Sequence, residues 1–211
     1  MHFDTFLFDL DGTLTDSLPD LTAALNLLRG EMALPPLTRE TVRGYVGDGA
    51  SILLQRALPE GLFSDERLTR FLALYGEHLA EQTSVYPGIR EFLELHRERR
   101  MAVVTNKPLA LARGLLEALD LLRYFPVVIG PDGDRKKPHP GPLLAALDRL
   151  GTGPASAVMI GDHHTDLRAG RAAGMRVCFC AWGFGNDGGE PGDFFAATPS
   201  DLPRLFPAEP R

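Results

Sequence analysis

The residues best suited to chemistry in this chain are two aspartates separated by a single leucine. Asp9 and Asp11 end a short apolar run, and Gly12 follows them. Carboxylates are costly inside a protein core, and a glycine after them frees the backbone to turn. One carboxylate of such a pair can attack a phosphorus atom while the other lies beside the leaving oxygen. The alternative is that both side chains cap a turn.

Polar residues also follow later apolar runs. Thr105 and Asn106 offer a hydroxyl and an amide that can hydrogen-bond phosphoryl oxygens, or that can cap the helix predicted after them. Lys136 and Lys137 come after the next run. A lysine near carboxylates and a phosphate would offset their repulsion, whereas an exposed lysine pair would be ordinary surface.

A third group of acids follows the fourth run, where Asp162 and Asp166 are separated by four positions. Several acids at one place repel each other unless a cation joins them, and all-oxygen ligands suit Mg²⁺. The adjacent His163 and His164 leave two alternatives open: a transition-metal site, or loop residues behind the acids.

Five short apolar runs predict strands of a parallel sheet that is covered on both faces. They lie at residues 5–10, 101–105, 127–130, 157–161 and 176–180. Segments with helical spacing alternate with the later runs, at residues 89–100, 108–119, 142–150 and 165–173. This alternation predicts an α/β fold with an open sheet, in which all the polar groups above meet at one edge.

Residues 15–85 interrupt this alternation, because they contain no convincing strand. Helical spacing is found there at residues 18–28, 50–58 and 66–79. An insertion after the first strand would lie above the carboxyl end of the sheet, where open α/β sheets bind ligands. We therefore predict a core domain of residues 1–14 and 86–211 and a helical cap domain of residues 15–85. The tail after Gly183 is expected to be loop, with a short element at residues 201–206.

Four segments resemble, in order, the four motifs of the haloacid dehalogenase-like phosphatase superfamily. They are DLDGTLTDS, VVTN, KKPHP and GDHHTD, and the match spans the core from residue 6 to residue 166. The resemblance implies a Rossmann-like parallel sheet core with an α-helical cap inserted after the first motif. The chain departs from the pattern at His163, since a small residue usually follows the Gly-Asp of the fourth motif.

The resemblance implies a catalytic role for each matching residue. Asp9 would be the nucleophile that forms an aspartyl-phosphate, and Asp11 the general acid and then the general base. Thr105 and Asn106 would bind the transferring phosphoryl group. Lys137, which directly precedes proline, would neutralise charge. Dehalogenation is not expected, because the dehalogenases of the superfamily lack the acid at Asp11.

The resemblance also implies that the cofactor is Mg²⁺. Its ligands would be Asp9, the backbone carbonyl of Asp11, and Asp162. Asp166 would hold a metal-bound water or orient the lysine. In this scheme catalysis is positioning and charge neutralisation around a phosphoryl group.

The cap segment Gly47, Asp48 and Gly49 resembles the corresponding segment of phosphoglycolate phosphatases. Its glycines would let backbone amides approach a small carboxylate, although the segment can also be a simple turn before a helix. The Trp-Gly-Phe-Gly sequence at residues 182–185 resembles a loop of the same subfamily. The implied reaction is hydrolysis of 2-phosphoglycolate to glycolate and phosphate.

Other functions stay open beside this one. The substrate could be a sugar phosphate, a nucleotide or pyrophosphate. The same core could serve a phosphomutase of the β-phosphoglucomutase kind. A non-catalytic binding module is disfavoured, because the full set of acids, threonine and lysine is present.

Composition limits the partners. The formal net charge is -6 and no basic stretch could neutralise nucleic-acid phosphates, so no nucleic-acid partner is expected. No apolar run approaches the ~20 residues that span a bilayer, so no membrane association is expected either. The start of the chain lacks the pattern of a signal peptide, which predicts a cytoplasmic enzyme acting on a small phosphorylated metabolite. The sequence leaves the oligomeric state open.

Overall fold

The computed structural model describes residues 3–131, 133 and 135–208. In this part of the chain, a six-stranded sheet and a two-stranded sheet are found. The strands are β1 Thr5–Phe8, β2 Thr15–Asp16, β3 Ser84–Val85, β4 Arg100–Val104, β5 Val127–Ile129, β6 Ala157–Gly161, β7 Arg176–Cys180 and β8 Phe194–Ala196. The larger sheet has the order β5-β4-β1-β6-β7-β8 and every pair in it is parallel.

The sheet confirms the predicted α/β class. All five predicted strands are present, although β1 ends at Phe8, two residues earlier than expected. β8 is a correction, because the tail after Gly183 was expected to be loop apart from a short element near its end. Three residues between glycine-rich and proline-rich segments are too few for a visible alternation, and β8 is recognised only by its pairing with β7.

Helices cover both faces of the sheet and form the layer above it. They are α1 Leu18–Glu31, α2 Arg39–Arg43, α3 Ala50–Ala57, α4 Asp65–Glu77, α5 Ile89–Leu95, α6 Leu109–Ala118, α7 Gly141–Leu150, α8 His164–Ala172 and α9 Leu202–Leu205. Short 3₁₀ turns lie at Leu122–Tyr124, Pro154–Ser156 and Pro199–Asp201. The predicted helix at residues 89–100 is too long. It ends at Leu95 because Arg100 pairs with Thr5 as the first residue of β4.

Alternation along β1 separates two cores. Phe6 and Phe8 face a layer that contains Phe92 of α5, whereas Leu7 faces the layer that contains Leu143 of α7. All of these side chains are buried, as expected for a parallel strand covered on both faces. β1 therefore ends at the centre of the sheet, between β4 and β6.

The helices α1 to α4 share a hydrophobic cluster of their own, which includes Leu25, Leu54 and Phe71. The chain leaves and re-enters the core through β2 and β3, which pair antiparallel. This pair is a second correction, since no strand was expected in residues 15–85. The division into two domains at those boundaries stays a prediction. Among the described residues no helix is both long and apolar enough to span a membrane.

Candidate active site

Asp9 lies directly after β1, at the carboxyl edge of the central strand. Its Oδ1 accepts a hydrogen bond of 2.7 Å from the backbone N–H of Leu10 and lies 2.9 Å from Nζ of Lys137. Burial raises the pKa of Asp9 to about 6, an effect that Lys137 opposes and Asp166 reinforces. The carboxylate is thus oriented at one oxygen by a backbone N–H and a buried cation.

Asp9, Asp162 and Asp166 form a buried carboxylate cluster whose ligand oxygens all lie within 4.8 Å of one another. Burial, together with the charges of Asp9 and Asp166, raises the pKa of Asp162 to about 7. Nζ of Lys137 bridges the cluster, 2.6 Å from Asp166 and 2.9 Å from Asp9. Three ionised carboxylates and one ammonium carry two net negative charges. An all-oxygen set with that charge fits a hard divalent cation.

Thr13 and the loop after β7 hold the carboxylate of Asp162 in place. Its Oδ1 accepts from the hydroxyl of Thr13 at 2.7 Å, and its Oδ2 accepts from the N–H groups of Phe184 and Gly185 at 2.8 and 3.1 Å. A Cβ on Gly12, where φ is +88°, would lie 2.4 Å from Oδ2 of Asp162. The loop at residues 182–185 therefore supports the carboxylate cluster, a role that the sequence did not suggest for it.

Asp166 opens α8 and faces Lys137. Its Oδ2 accepts from the backbone N–H of His163 at 3.1 Å, and the residue is fully buried. Burial disfavours the charge on Lys137, but Asp166 and Asp9 outweigh it and keep the pKa of the ammonium raised. Asp166 therefore contacts the lysine directly, whereas the two roles that the resemblance implied for it stay predictions.

The side chain of Asp11 lies apart from the carboxylate cluster. Its carboxylate lies 3.0 and 3.2 Å from Nζ of Lys107 and accepts from the hydroxyl of Ser17 at 2.6 Å. Lys107 also donates to the hydroxyl of Tyr75 in α4, at 2.7 Å. Sequence reasoning missed Lys107 and Tyr75. The position of Lys107, directly after the Thr105 and Asn106 pair, was the available signal.

Asn106 connects three segments of the chain. Its amide nitrogen donates to the carbonyls of Gly47 and Lys137 at 3.0 and 2.9 Å, and its oxygen accepts from the N–H of Lys137 at 2.9 Å. Both ends of the side chain thus hold backbone groups, which positions Lys137. Its predicted contact with a phosphoryl group stays a prediction. The hydroxyl oxygen of Thr105 accepts from the N–H of Lys107 at 3.2 Å, which leaves the hydroxyl hydrogen for a ligand.

The cap segment meets the core at residues 47–49. Gly47 and Gly49 line a cavity with Asp9, Asp11 and Thr105. Asp48 points elsewhere. Its carbonyl accepts from Nζ of Lys136 at 2.6 Å, and its carboxylate lies 2.7 Å from Arg56. The structure brings the glycines, Lys107 and the two aspartates of the first motif to one cavity, with Asp48 and Lys136 behind its wall.

His163 and His164 lie beside Asp48 rather than in this cavity. Their ring centroids are 4.0 Å apart, and one ligand atom from each of the three residues lies within 4.8 Å of the others. Nδ1 of His163 accepts from the N–H of Thr165, so this histidine caps α8. Burial, with the neighbouring His164, lowers the pKa of His163 to about 4. His163 is therefore a neutral, structural member of the contact between cap and core.

The cavity has a volume of about 50 Å³. A water-sized group needs roughly 10–15 Å³ of such space, so the cavity holds only a few such groups. Its polar lining includes the two motif-one aspartates, Thr105 and Lys107, and its apolar lining comes mostly from residues 15–85, among them Leu53 and Phe71. The arrangement can hold a small anion between the carboxylate of Asp9 and the buried ammonium of Lys107.

Comparison with known proteins agrees with this geometry. The sequence profile described as haloacid dehalogenase-like hydrolase matches residues 6–180. The chain belongs to the haloacid dehalogenase-like hydrolase family. The resemblance seen in the four motifs is therefore confirmed, and the match reaches from β1 to the end of β7.

Relatives of this hydrolase carry a consistent name. The phosphoglycolate phosphatase of Chromobacterium violaceum is 40% identical over 193 residues, which are 87% of either chain. That of Aquifex aeolicus is 36% identical over 203 residues, 95% of either chain. A crystal structure described as a predicted phosphoglycolate phosphatase from Haemophilus somnus superposes with a TM-score of 0.88, at 29% identity, over 97% of this chain and 98% of the other. The chain is thus an enzyme of the phosphoric monoester hydrolase type, similar to phosphoglycolate phosphatases.

Proposed function

We propose that this hydrolase is a Mg²⁺-dependent phosphatase that converts 2-phosphoglycolate to glycolate and phosphate. The observation that carries the proposal is the contact of Asp9 with the Lys137 ammonium inside a carboxylate cluster, because Asp9 also lines a small, partly open cavity. The names of the relatives support the choice of substrate.

The proposed reaction begins with the carboxylate of Asp9. One of its oxygens attacks the phosphorus atom and the ester bond breaks, which leaves an aspartyl-phosphate and glycolate. Asp11, on the cavity wall, gives a proton to the departing ester oxygen and later takes one from the water that hydrolyses the aspartyl-phosphate. Lys137 keeps the charge of Asp9 and of the phosphoryl oxygens balanced, and the Thr105 hydroxyl donates to one of those oxygens.

Asp9, Asp162 and the carbonyl of Asp11 would hold the Mg²⁺, with Asp166 behind them. When bound, the cation supplies neutralisation of the charge on the phosphoryl group. The net negative charge of the cluster supports the fit. The raised pKa values of Asp162 and Asp9 support it too, because they show that burial leaves both carboxylates without enough positive charge nearby to stabilise their ionised forms. The single positive charge of Lys137 cannot neutralise the charges of three carboxylates.

Two features of the cavity support a small ester. Its volume of about 50 Å³ suits a small leaving group better than a bulky one. The cavity is also lined by the apolar side chains of Leu53 and Phe71, which would reduce the water around the reacting atoms once a substrate is bound. We also propose that residues 15–85 act as a separate cap domain and that the enzyme is cytoplasmic. Gly47, Asp48 and Gly49 would form the substrate-contacting segment, in which the two glycines face the cavity and Asp48 holds the segment in place through Lys136 and Arg56.

The test is phosphate release from a set of small phosphate esters, measured with Mg²⁺ and with EDTA. We expect the kcat/KM for 2-phosphoglycolate to exceed that for the other esters by about 100-fold, which corresponds to about 2.7 kcal/mol. EDTA should abolish release. A flat, Mg²⁺-dependent profile would remove phosphoglycolate as the substrate but keep the phosphatase. If a sugar phosphate were instead isomerised with little release of free phosphate, the enzyme would be a phosphomutase and not a phosphatase.

A further inference from the structure

Lys107 is a buried cation in the wall of the catalytic cavity. Its side chain is 3% exposed, yet it lines the cavity beside Asp11 and Thr105. Lysine is rare in this chain: of its 22 basic residues only three are lysines, at positions 107, 136 and 137. Lys137 serves the carboxylate cluster and Lys136 holds the cap segment. A buried lysine is expensive unless it is paired, so Lys107 calls for an explanation of its own.

The partners of Lys107 leave it able to bind a ligand. Among the described residues, Nζ contacts the Asp11 carboxylate and donates to the hydroxyl oxygen of Tyr75, which lies 2.7 Å away. An ammonium has three donors, and these two groups occupy two directions. Because the oxygen of Tyr75 accepts from Lys107, its own hydrogen is available to another acceptor. Two adjacent donors, one of them charged, thus face the cavity.

Tyr75 keeps its proton over the whole working range of an enzyme. Burial raises the pKa of its hydroxyl to about 12, and the nearby Lys107 only partly opposes this. The Lys107 ammonium lies 4.3 Å from the centre of the Tyr75 ring, which adds a cation–π contact. The tyrosine comes from α4 of the cap and the lysine from the segment before α6 of the core. The pair therefore exists only where cap and core meet.

We propose that Lys107 and the hydroxyl of Tyr75 form the subsite that binds the carboxylate of the substrate. This inference rests on the proposed function and assigns the part of the substrate that does not react. The subsite prefers a monoanionic carboxylate next to the phosphate ester over a neutral group of the same size.

The contacts of Asp11 set the position of this subsite. Asp11 is the proposed proton donor to the ester oxygen, and its carboxylate lies 3.0 Å from Nζ of Lys107. In 2-phosphoglycolate the carboxylate carbon is only two bonds from that oxygen. A substrate whose ester oxygen contacts Asp11 therefore brings its carboxylate within hydrogen-bond reach of Lys107. A longer leaving group would carry its charge past this point.

The apolar wall strengthens the preference. Leu53 and Phe71 face the same cavity, and buried ions interact more strongly than ions in water. A neutral hydroxymethyl group in place of the carboxylate would lose the charge-assisted hydrogen bonds. The compact ammonium of lysine also suits the small cavity, whereas a guanidinium is larger and planar.

The experiment compares two substrates that differ only at this group: 2-phosphoglycolate and 2-hydroxyethyl phosphate. The ratio of their kcat/KM values is measured for the wild type, Lys107→Met, Lys107→Arg and Tyr75→Phe. Arg113→Met is the matched control, because Arg113 is a cation on the exposed face of α6. Using the ratio cancels any effect of Lys107 on Asp11, since that effect reaches both substrates.

We expect the wild type and Arg113→Met to favour 2-phosphoglycolate by about 100-fold, and Lys107→Met to reduce the preference by about 10- to 100-fold. Tyr75→Phe should reduce it by a smaller factor, and it keeps the inference testable if Lys107→Met does not fold. Lys107→Arg should restore the preference only in part. A wild-type preference that survives both Lys107→Met and Tyr75→Phe overturns the subsite and keeps the proposed substrate. If the wild type does not prefer 2-phosphoglycolate to 2-hydroxyethyl phosphate, both the subsite and the proposed substrate are overturned.

Discussion

Nζ of Lys137 lies 2.9 Å from Oδ1 of Asp9, although Asp9 follows β1 and Lys137 lies far along the chain, between β5 and α7. The contact is buried, with 1% of the lysine side chain and 11% of the aspartate side chain exposed. Asn106 holds the backbone of Lys137 in place for it. The proposed nucleophile, its counter-ion and the residue that positions the counter-ion thus come from three separate segments, and each can be tested.

Asp9→Asn removes the proposed nucleophile with almost no change of shape. We expect phosphate release to fall by at least about 10³-fold, because an amide cannot form the aspartyl-phosphate. Thermal unfolding followed by circular dichroism should show an intact fold. Asp65→Asn, at an exposed position of α4, is the control that should keep full activity. Substantial turnover by Asp9→Asn would rule out the covalent mechanism.

Lys137→Met leaves Asp9 and Asp166 buried without their cation. Breaking a buried ion pair on one side costs about 3–5 kcal/mol, so the metal-free variant should unfold at clearly lower urea concentration. Replacing Asp166 with Asn in the same chain removes one of the unpaired charges and should recover part of the loss. Additive effects of the two substitutions would show that Lys137 and Asp166 do not act together.

Metal binding should stabilise the protein more at high pH than at low pH. The pKa values of about 6 for Asp9 and about 7 for Asp162 lie above the ordinary value of 3.8. Because their pKa values are higher in the folded protein than in the unfolded chain, these two groups stabilise the metal-free protein fully when they are protonated, below pH ~4. This stabilisation is lost as the pH rises through 6 and 7 and the two groups ionise. Mg²⁺ requires the ionised carboxylates and replaces the lost protons.

The stabilisation by Mg²⁺ is measured as the difference in Tm between samples with excess Mg²⁺ and samples with EDTA, by differential scanning fluorimetry at two pH values. Near pH 8 we expect Mg²⁺ to raise the Tm by about 5–10 °C, the effect of a ligand at about 100 times its Kd. Near pH 5 the difference should be small. The same Tm shift at both pH values would argue against a carboxylate site. Asp162→Asn should reduce the shift near pH 8.

Gly47→Ala tests the contact between the cap segment and His163. A Cβ at this position would lie 2.7 Å from the imidazole, at a φ of +120°. We expect a loss of stability of about 1–3 kcal/mol and a lower kcat/KM, because His163 or the cap segment must move. Gly61 is the matched control: its φ is +78°, but an added Cβ would meet nothing within 4 Å.

Gly61→Ala should therefore show only the backbone strain of about 1 kcal/mol and no loss of activity. Adding His163→Ala to Gly47→Ala should recover part of the lost activity, since it removes the ring that the new methyl group meets. Equal effects of the two glycine substitutions would show that the contact with His163 is unimportant for closing the cap.

Much of this protein was determined by local sequence pattern. Short apolar runs and helical spacing predicted the α/β class, the strands β1 and β4 to β7, and a helical insertion after β1, because burial of a side chain leaves a period in the sequence. The placement of Asp9, Thr105, Lys137 and Asp162 after strands also follows from the pattern, since the carboxyl ends of parallel strands share one edge. The four motifs then indicated the family, which the sequence profile confirmed.

Only the tertiary structure decided which of these groups touch. Strand order places β1 between β4 and β6, which brings Asp162 to Asp9. Asn106, after β4, holds the backbone of Lys137 where the ammonium reaches Asp9, and packing of α4 against the core brings Tyr75 to Lys107. β8 and the support of Asp162 by the loop at residues 182–185 were likewise invisible in the sequence. These contacts join residues far apart in the chain, and their energies depend on distance and burial, neither of which leaves a local period.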